Sequence, residues 1–181
     1  MMVIVYDLVS ENLKAIKSEY KDLLRNVRVK CIRLLHQLGV QCTESVILVG
    51  VDNQNKIIDT IHTVFRLYED LILKIEKDLG VTLPRPIVKV IDITPEQYQI
   101  FSELAKKKLE ENIDIHTDKI KTIIESKIIK NTKTVINSLK RIRKEWIRIK
   151  NQCIDLGLGL ESEINNLLNL IDQAIEVLSK S

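Results

Sequence analysis

Three aspartates stand at or near the ends of short apolar runs, where carboxylates could converge on a metal ion. Asp7 closes VIVYD, Asp52 follows SVILVGV, and Asp92 lies within IVKVIDI. Strands separated by helices normally run parallel, and the shared end of a parallel sheet is its usual ligand edge. Carboxylates suit Mg²⁺ or Mn²⁺, which can clamp a phosphodiester during hydrolysis. This pattern predicts a metal site, with the alternative that each Asp only caps a helix or supports a turn.

A second candidate is the positive side of a long helix predicted over 119–150, a stretch without Gly or Pro. At about 100° per residue, six cations share one side of this helix. These six, called the basic face below, are Lys130, Lys133, Lys140, Arg141, Lys144 and Arg148. Such a row can follow a nucleic-acid backbone without reading its sequence. The alternatives are an acidic protein surface or a solvated helix face. No aromatic residue interrupts the row, so base stacking is not predicted.

The opposite side of the same helix carries apolar residues with alternating spacings of four and three. They cover a stripe roughly 80° wide, as in a coiled-coil seam. The seam consists of Val135, Leu139, Ile142, Trp146 and Ile149, and it continues to Cys153 and Leu156. It is longer than one two-helix hairpin needs, so the pattern predicts self-association into a homo-oligomer.

Other catalytic signatures are missing from the sequence. His36, His62 and His116 form no HExxH motif and stand at no metal-binding spacing from a cysteine. The three cysteines are scattered, and their pattern favours buried thiols over disulfides or zinc ligands. No phosphate-binding glycine loop or nucleophile elbow occurs. The sequence therefore favours a non-enzymatic protein without a cofactor.

Charge is unevenly distributed along the 181 residues. The stretch 119–150 holds 11 of the 28 Lys and Arg but only two of the 25 Asp and Glu, so its net charge is +9 and that of the remainder is −6. A local basic surface can attract phosphates although the whole chain carries only +3. No apolar run is long enough to span a membrane, and no signal peptide is apparent. These features predict a cytoplasmic protein without a membrane partner, and the abundance of Ile, Lys and Glu fits a thermophile or an AT-rich genome.

The first half has the pattern of strands separated by helices. Apolar runs at 3–8, 45–51 and 87–93 predict buried strands. Apolar residues at helical spacing predict helices over 11–38 and 55–79, each followed by a glycine. The predicted fold class is α/β, with a small three-stranded β-α-β-α-β unit over 1–93.

The second half, 94–181, is predicted to be helical. The sequence TPEQ at 94–97 has the spacing of a capping box and predicts a helix to about residue 112. Weak helix formers at 112–118 predict a break before the long helix. Glycines at 157 and 159 then predict an antiparallel αα-hairpin between the long helix and the last one. This region is expected to form a second domain or to pack onto the first unit.

The VIVYD strand, the helix after it and the strand in TESVILV together resemble a family of small CRISPR-associated proteins. The resemblance covers about the first fifty residues. It implies that Asp7 is a metal ligand. The helix predicted from Asn55 to Leu79 and the helical second half have no counterpart in that family, so the chain is not assigned to it.

Two functions follow from these patterns. The first is a non-enzymatic interaction or assembly protein that self-associates through the seam and can bind DNA or RNA through the basic face; in a purely structural subunit, the charged faces would provide only solubility. The alternative is a metal-dependent nuclease or phosphodiesterase that uses Asp7, Asp52 and Asp92. The two differ in whether the three strand ends meet.

Overall fold

A computed structural model describes residues 1–13, 16–50, 54–126 and 131–180 of the chain. Within these residues the chain has a mixed α/β fold, with five helices and one four-stranded antiparallel sheet. The elements are β1 (Met2–Asp7), α1 (Ser18–His36), β2 (Val40–Thr43), β3 (Val46–Val49), α2 (Gln54–Leu79), β4 (Ile87–Asp92), α3 (Pro95–Glu125), α4 (Thr132–Asp155) and α5 (Glu161–Lys180). The chain divides into two compact units, Met1–Phe101 and Ser102–Ser181.

The sheet has the strand order β2-β3-β1-β4, and every neighbouring pair is antiparallel. The predicted parallel β-α-β-α-β unit is therefore wrong, because sequence analysis missed the four-residue strand β2. A two-residue turn joins β2 to β3 and reverses the chain, which only antiparallel strands allow. The resulting β-α-β-β-α-β order is the ferredoxin-like, or split β-α-β, arrangement.

The position of Gly39 after the first predicted helix suggested a helix-ending glycine, but glycine is required there for a different reason. It does not adopt the left-handed conformation of a helix-ending glycine. A Cβ atom at Gly39 would lie 2.0 Å from the carbonyl oxygen of Leu48 in β3. Glycine is needed there because the backbone enters β2 directly against its neighbouring strand.

One face of the sheet packs against α1 and α2. Strand alternation turns Met2, Ile4 and Tyr6 of β1 toward this core. The helices contribute buried side chains at 3.6-residue spacing: Leu24, Cys31 and Leu35 from α1, and Tyr68, Ile72 and Ile75 from α2.

Helix α1 begins at Ser18, seven residues later than predicted. Glu11 lies outside the helix, with Oε1 3.6 Å from Nε of Arg25 and Oε2 3.8 Å from Nη1 of Arg28. Leu8 and Val9 are buried in the same core. These contacts draw the segment after β1 back against α1 instead of extending the helix.

A side-chain clamp fixes the connection between α2 and β4. Arg85 donates two hydrogen bonds to Glu76, of 2.8 and 2.9 Å, and the Leu83 amide donates a third of 2.8 Å. These bonds, chiefly those from Arg85, lower the pKa of Glu76 to about 2. The clamp sets the entry of the chain into β4.

Helix α3 begins at the predicted capping box and continues through the predicted break. Thr94 and Gln97 exchange both hydrogen bonds of the box, of 2.9 and 3.3 Å. The break expected at 112–118 is wrong, since Ile113 and Ile120 are buried on the same side of a continuous helix. Packing of this apolar side outweighs the weak helix propensity of the residues between them.

The predicted long helix over 119–150 is divided between α3 and α4. Helix α4 ends in a Schellman motif, in which Leu158 N–H donates to Cys153 and Gly157 N–H donates to Ile154. Gly157 has a φ of +59°, as the motif requires. Helices α4 and α5 pack against each other after this turn.

Candidate nucleic-acid interface

Helix α4 has two chemically different sides. Leu139, Trp146 and Cys153 are buried on one side. Beside them, Arg143 forms a two-point ion pair with Asp172 of α5, with 2.7 Å from Nε to Oδ1 and 3.1 Å from Nη2 to Oδ2. The pair raises the pKa of Arg143. These contacts fix the rotation of α4 against α5 and so determine which side faces solvent.

The solvent side of α4 carries four exposed cations of the basic face. They are Lys133, Lys140, Arg141 and Lys144. Within the part of the chain that the structure describes, none of the four forms an ion pair. At about 1.5 Å of rise per residue, they extend over about 16 Å of the helix. Their charge is therefore available to a phosphate backbone.

Arg148 lies at the border of this surface. Its side chain is one-third exposed, Nη2 lies 3.9 Å from Glu145, and Nη1 donates a long 3.4 Å hydrogen bond to Gln152. Burial lowers the pKa of its guanidinium, and Glu145 partly offsets this. Because Arg148 is partly buried and already contacts Glu145 and Gln152, its guanidinium is less accessible to a phosphate than the four exposed cations are. Lys130 lies outside the described residues.

The apolar seam is largely occupied within a single chain. Leu139 and Trp146 are almost completely buried, while Val135, Ile142 and Ile149 are half-buried. Because Leu139 and Trp146 already pack inside the chain, the seam does not offer its full width to a second copy.

Trp146 is also unavailable to a nucleic-acid base. Its ring packs edge-to-face against His116 of α3, with ring centroids 5.6 Å apart. The exposed part of α4 therefore presents charge without an aromatic platform, which suits contact with phosphates more than stacking on bases.

The strand-end aspartates do not converge. The register of β1 and β4 pairs Asp7 with Ile87 and Asp92 with Met2, so the two carboxylates stand at opposite ends of the ladder. Five residues of extended strand separate these positions, which is about 17 Å. Asp52 lies outside the described residues. Among the residues described, no group of three His, Cys, Asp or Glu side chains could hold a metal ion.

Strand β4 is exposed, which its sequence did not predict. The run IVKVID was expected to be buried, but five of its six residues are exposed and Val88 is half-buried. Pro84 and Pro86 were the available signal, since prolines flank edge strands more readily than central ones.

Comparison with known proteins adds no family. The chain matches no protein-family model, and neither curated proteins nor solved structures gave a significant match. Of the helices in the described ranges, none combines the length and apolar character needed to cross a membrane.

Proposed function

We propose that this protein binds the backbone of DNA or RNA through α4, without catalysing a reaction on it. The observation that carries the proposal is the exposure of Lys133, Lys140, Arg141 and Lys144 on the side of α4 opposite its buried residues. In this proposal α4 and α5 form a helical hairpin that presents the four cations as a rigid row. The hairpin is held by their packing and by the ion pair between Arg143 and Asp172.

The proposed contact is electrostatic and independent of sequence. Four phosphate contacts on duplex DNA predict that the logarithm of the binding constant falls with the logarithm of salt concentration with a slope of about −3 to −4. A steeper slope would require cations outside α4. Absence of Trp146 from the surface predicts no preference for single strands based on stacking.

Charge reversal of the four exposed cations to Glu should weaken binding to labelled duplex DNA about 100-fold. Each lost phosphate contact is worth up to about 1 kcal/mol, and 1.4 kcal/mol corresponds to tenfold in affinity. Electrophoretic mobility and fluorescence anisotropy at two salt concentrations measure the loss. Because the side chains are exposed, the melting temperature should remain close to that of the native chain.

The matched control reverses Lys56, Arg66, Lys74 and Lys77, four exposed cations on α2. Both variants change the net charge by eight, so a general charge effect would weaken binding equally in both. Selective loss in the α4 variant supports the proposal. Equal loss, or unchanged binding in the α4 variant, contradicts it.

The nuclease alternative receives less support, because the register of β1 and β4 places Asp7 and Asp92 at opposite ends of the ladder. The same binding assay with Mg²⁺ should therefore leave the probe intact.

A further inference from the structure

Strand β4 is an open edge of the sheet that is apolar on both faces. It pairs with β1 on one side, and in the described part of the chain no strand pairs with its other side. Ile87 is 50%, Val90 42% and Ile91 44% exposed. Exposed apolar edges favour pairing with another strand, and proteins usually block them with charges or bulges. Here the register with β1 is regular, and Lys89 is the only cation within the strand.

The backbone groups that point away from the sheet can be assigned by residue. Ile93 N–H donates to the Met1 carbonyl, so the directly opposed pair of Met1 and Ile93 is hydrogen-bonded. Hydrogen-bonded pairs alternate along an antiparallel ladder. The backbone groups of Ile91, Lys89 and Ile87 therefore point toward β1. Those of Val88, Val90 and Asp92 point to the open edge, where water can satisfy them and where an extended strand is the protein partner that can pair with all of them.

We infer that a second copy of this chain pairs with β4 through its own β4, antiparallel about a two-fold axis at Val90. In this register Val90 faces Val90 of the second copy, Val88 faces Asp92, and Lys89 faces Ile91. All outward backbone groups of Val88, Val90 and Asp92 then form hydrogen bonds. The two sheets join into one of eight strands, through an isologous interface.

Charge and proline positions select this register over its neighbours. In an antiparallel pair, two directly opposed residues point their backbone groups either both toward each other's strand or both away from it. The two-fold axis must therefore pass through a residue, and the neighbouring symmetric registers centre the axis on the residue before or after Val90. Centring the axis on Lys89 would place two like charges face to face, which is destabilising. Centring it on Ile91 would bring Ile87 opposite Pro95, where α3 begins. Only the Val90 register pairs the whole segment 87–93 between Pro86 and Thr94.

This inference concerns a surface in the first compact unit and does not depend on nucleic-acid binding by α4. It also assigns self-association to a different surface from the apolar seam, in which Leu139 and Trp146 are buried within one chain. A second copy fits as the partner because the segment 87–93 pairs with itself along its whole length in the Val90 register. No like charges face each other in that register.

Analytical ultracentrifugation of the native chain should show a mass that rises with concentration from 20.9 kDa toward twice that value. Val90→Lys should raise the dimer dissociation constant about tenfold or more, because two ammonium groups would face each other across the axis. Ile58→Lys is the matched control, since Ile58 is a β-branched apolar residue on α2 that is 52% exposed, against 42% for Val90. A native chain that stays monomeric, or equal weakening by both substitutions, overturns the inference.

Cysteine substitution tests the register and does not depend on Val90→Lys folding well. Val90→Cys should be joined to its counterpart by a short bifunctional thiol reagent, because the Cβ atoms of a directly opposed, hydrogen-bonded pair lie about 5.5 Å apart, beyond the reach of a disulfide. Lys89→Cys and Ile91→Cys should crosslink much less, because each faces a different residue. The native Cys31, Cys42 and Cys153 are buried and do not compete. Preferential crosslinking at position 89 or 91, or at none of the three, overturns the proposed pairing.

Discussion

Strands β1 and β4 are adjacent, six residues long and similar in sequence, yet their surroundings are opposite. β1 reads MVIVYD and is buried along nearly its whole length, whereas β4 reads IVKVID and is exposed along nearly its whole length. β1 has a strand on each side and helices across one face, while β4 has one neighbour. The difference shows that position in the sheet, more than β-propensity, decides whether such a run forms core or surface.

The largest expected effect is on the free energy of unfolding, which truncation in the buried β1 should lower far more than truncation in the exposed β4. Ile4→Ala in β1 should lower the free energy of unfolding by about 2–5 kcal/mol, because Ile4 is fully buried and truncation leaves a cavity. Val90→Ala, at the directly opposed position in β4, should cost less than about 1 kcal/mol. Urea unfolding of both variants at low protein concentration measures the difference. Similar costs would mean that β4 is covered in the folded protein.

Two separate proline substitutions in β4 test which of its backbone N–H groups form hydrogen bonds with β1. Ile91→Pro removes an N–H that points toward β1 and should cost about 1–3 kcal/mol. Val90→Pro removes an N–H that points to the open edge and should cost less in the monomer. Thermal unfolding at protein concentrations too low for dimer formation compares the stabilities of the two variants. If Val90→Pro costs more, the assigned direction of the backbone groups is wrong.

The smallest expected effect concerns pH and the way β4 is anchored. The hydrogen bonds from Arg85 and Leu83 lower the folded pKa of Glu76 from 4.5 to about 2. The stabilisation is therefore fully present above pH 4.5 and is lost as the pH falls toward 2, because the unfolded chain takes up the proton first.

Melting temperatures of the native chain and Glu76→Gln between pH 7 and 3 test this expectation. The native chain should lose stability more steeply below pH 4.5 than the variant does. At neutral pH the amides of β4 should also exchange hydrogen faster than those of β1, and Glu76→Gln should widen that gap. Parallel pH curves would show that Glu76 is not the titrating group.

The sequence correctly predicted the features that form between residues close together in the chain. The capping box at Thr94 and the glycine after α4 act within one turn of helix, and both are present as predicted. The amphipathic pattern of α4 likewise identified Leu139 and Trp146 as an apolar side and placed four cations away from it. These features depend on helical periodicity, which can be read from spacing alone.

Long-range pairing decided the rest. The four residues of β2 carry too little pattern to be distinguished from a loop, yet their hairpin with β3 makes the sheet antiparallel and moves Asp92 to the opposite end from Asp7. Sequence determined three of the four strands and which side of α4 is charged, since both follow from local periodicity. Only the tertiary structure decided that β1 is core and β4 is surface, because burial depends on which strands lie alongside.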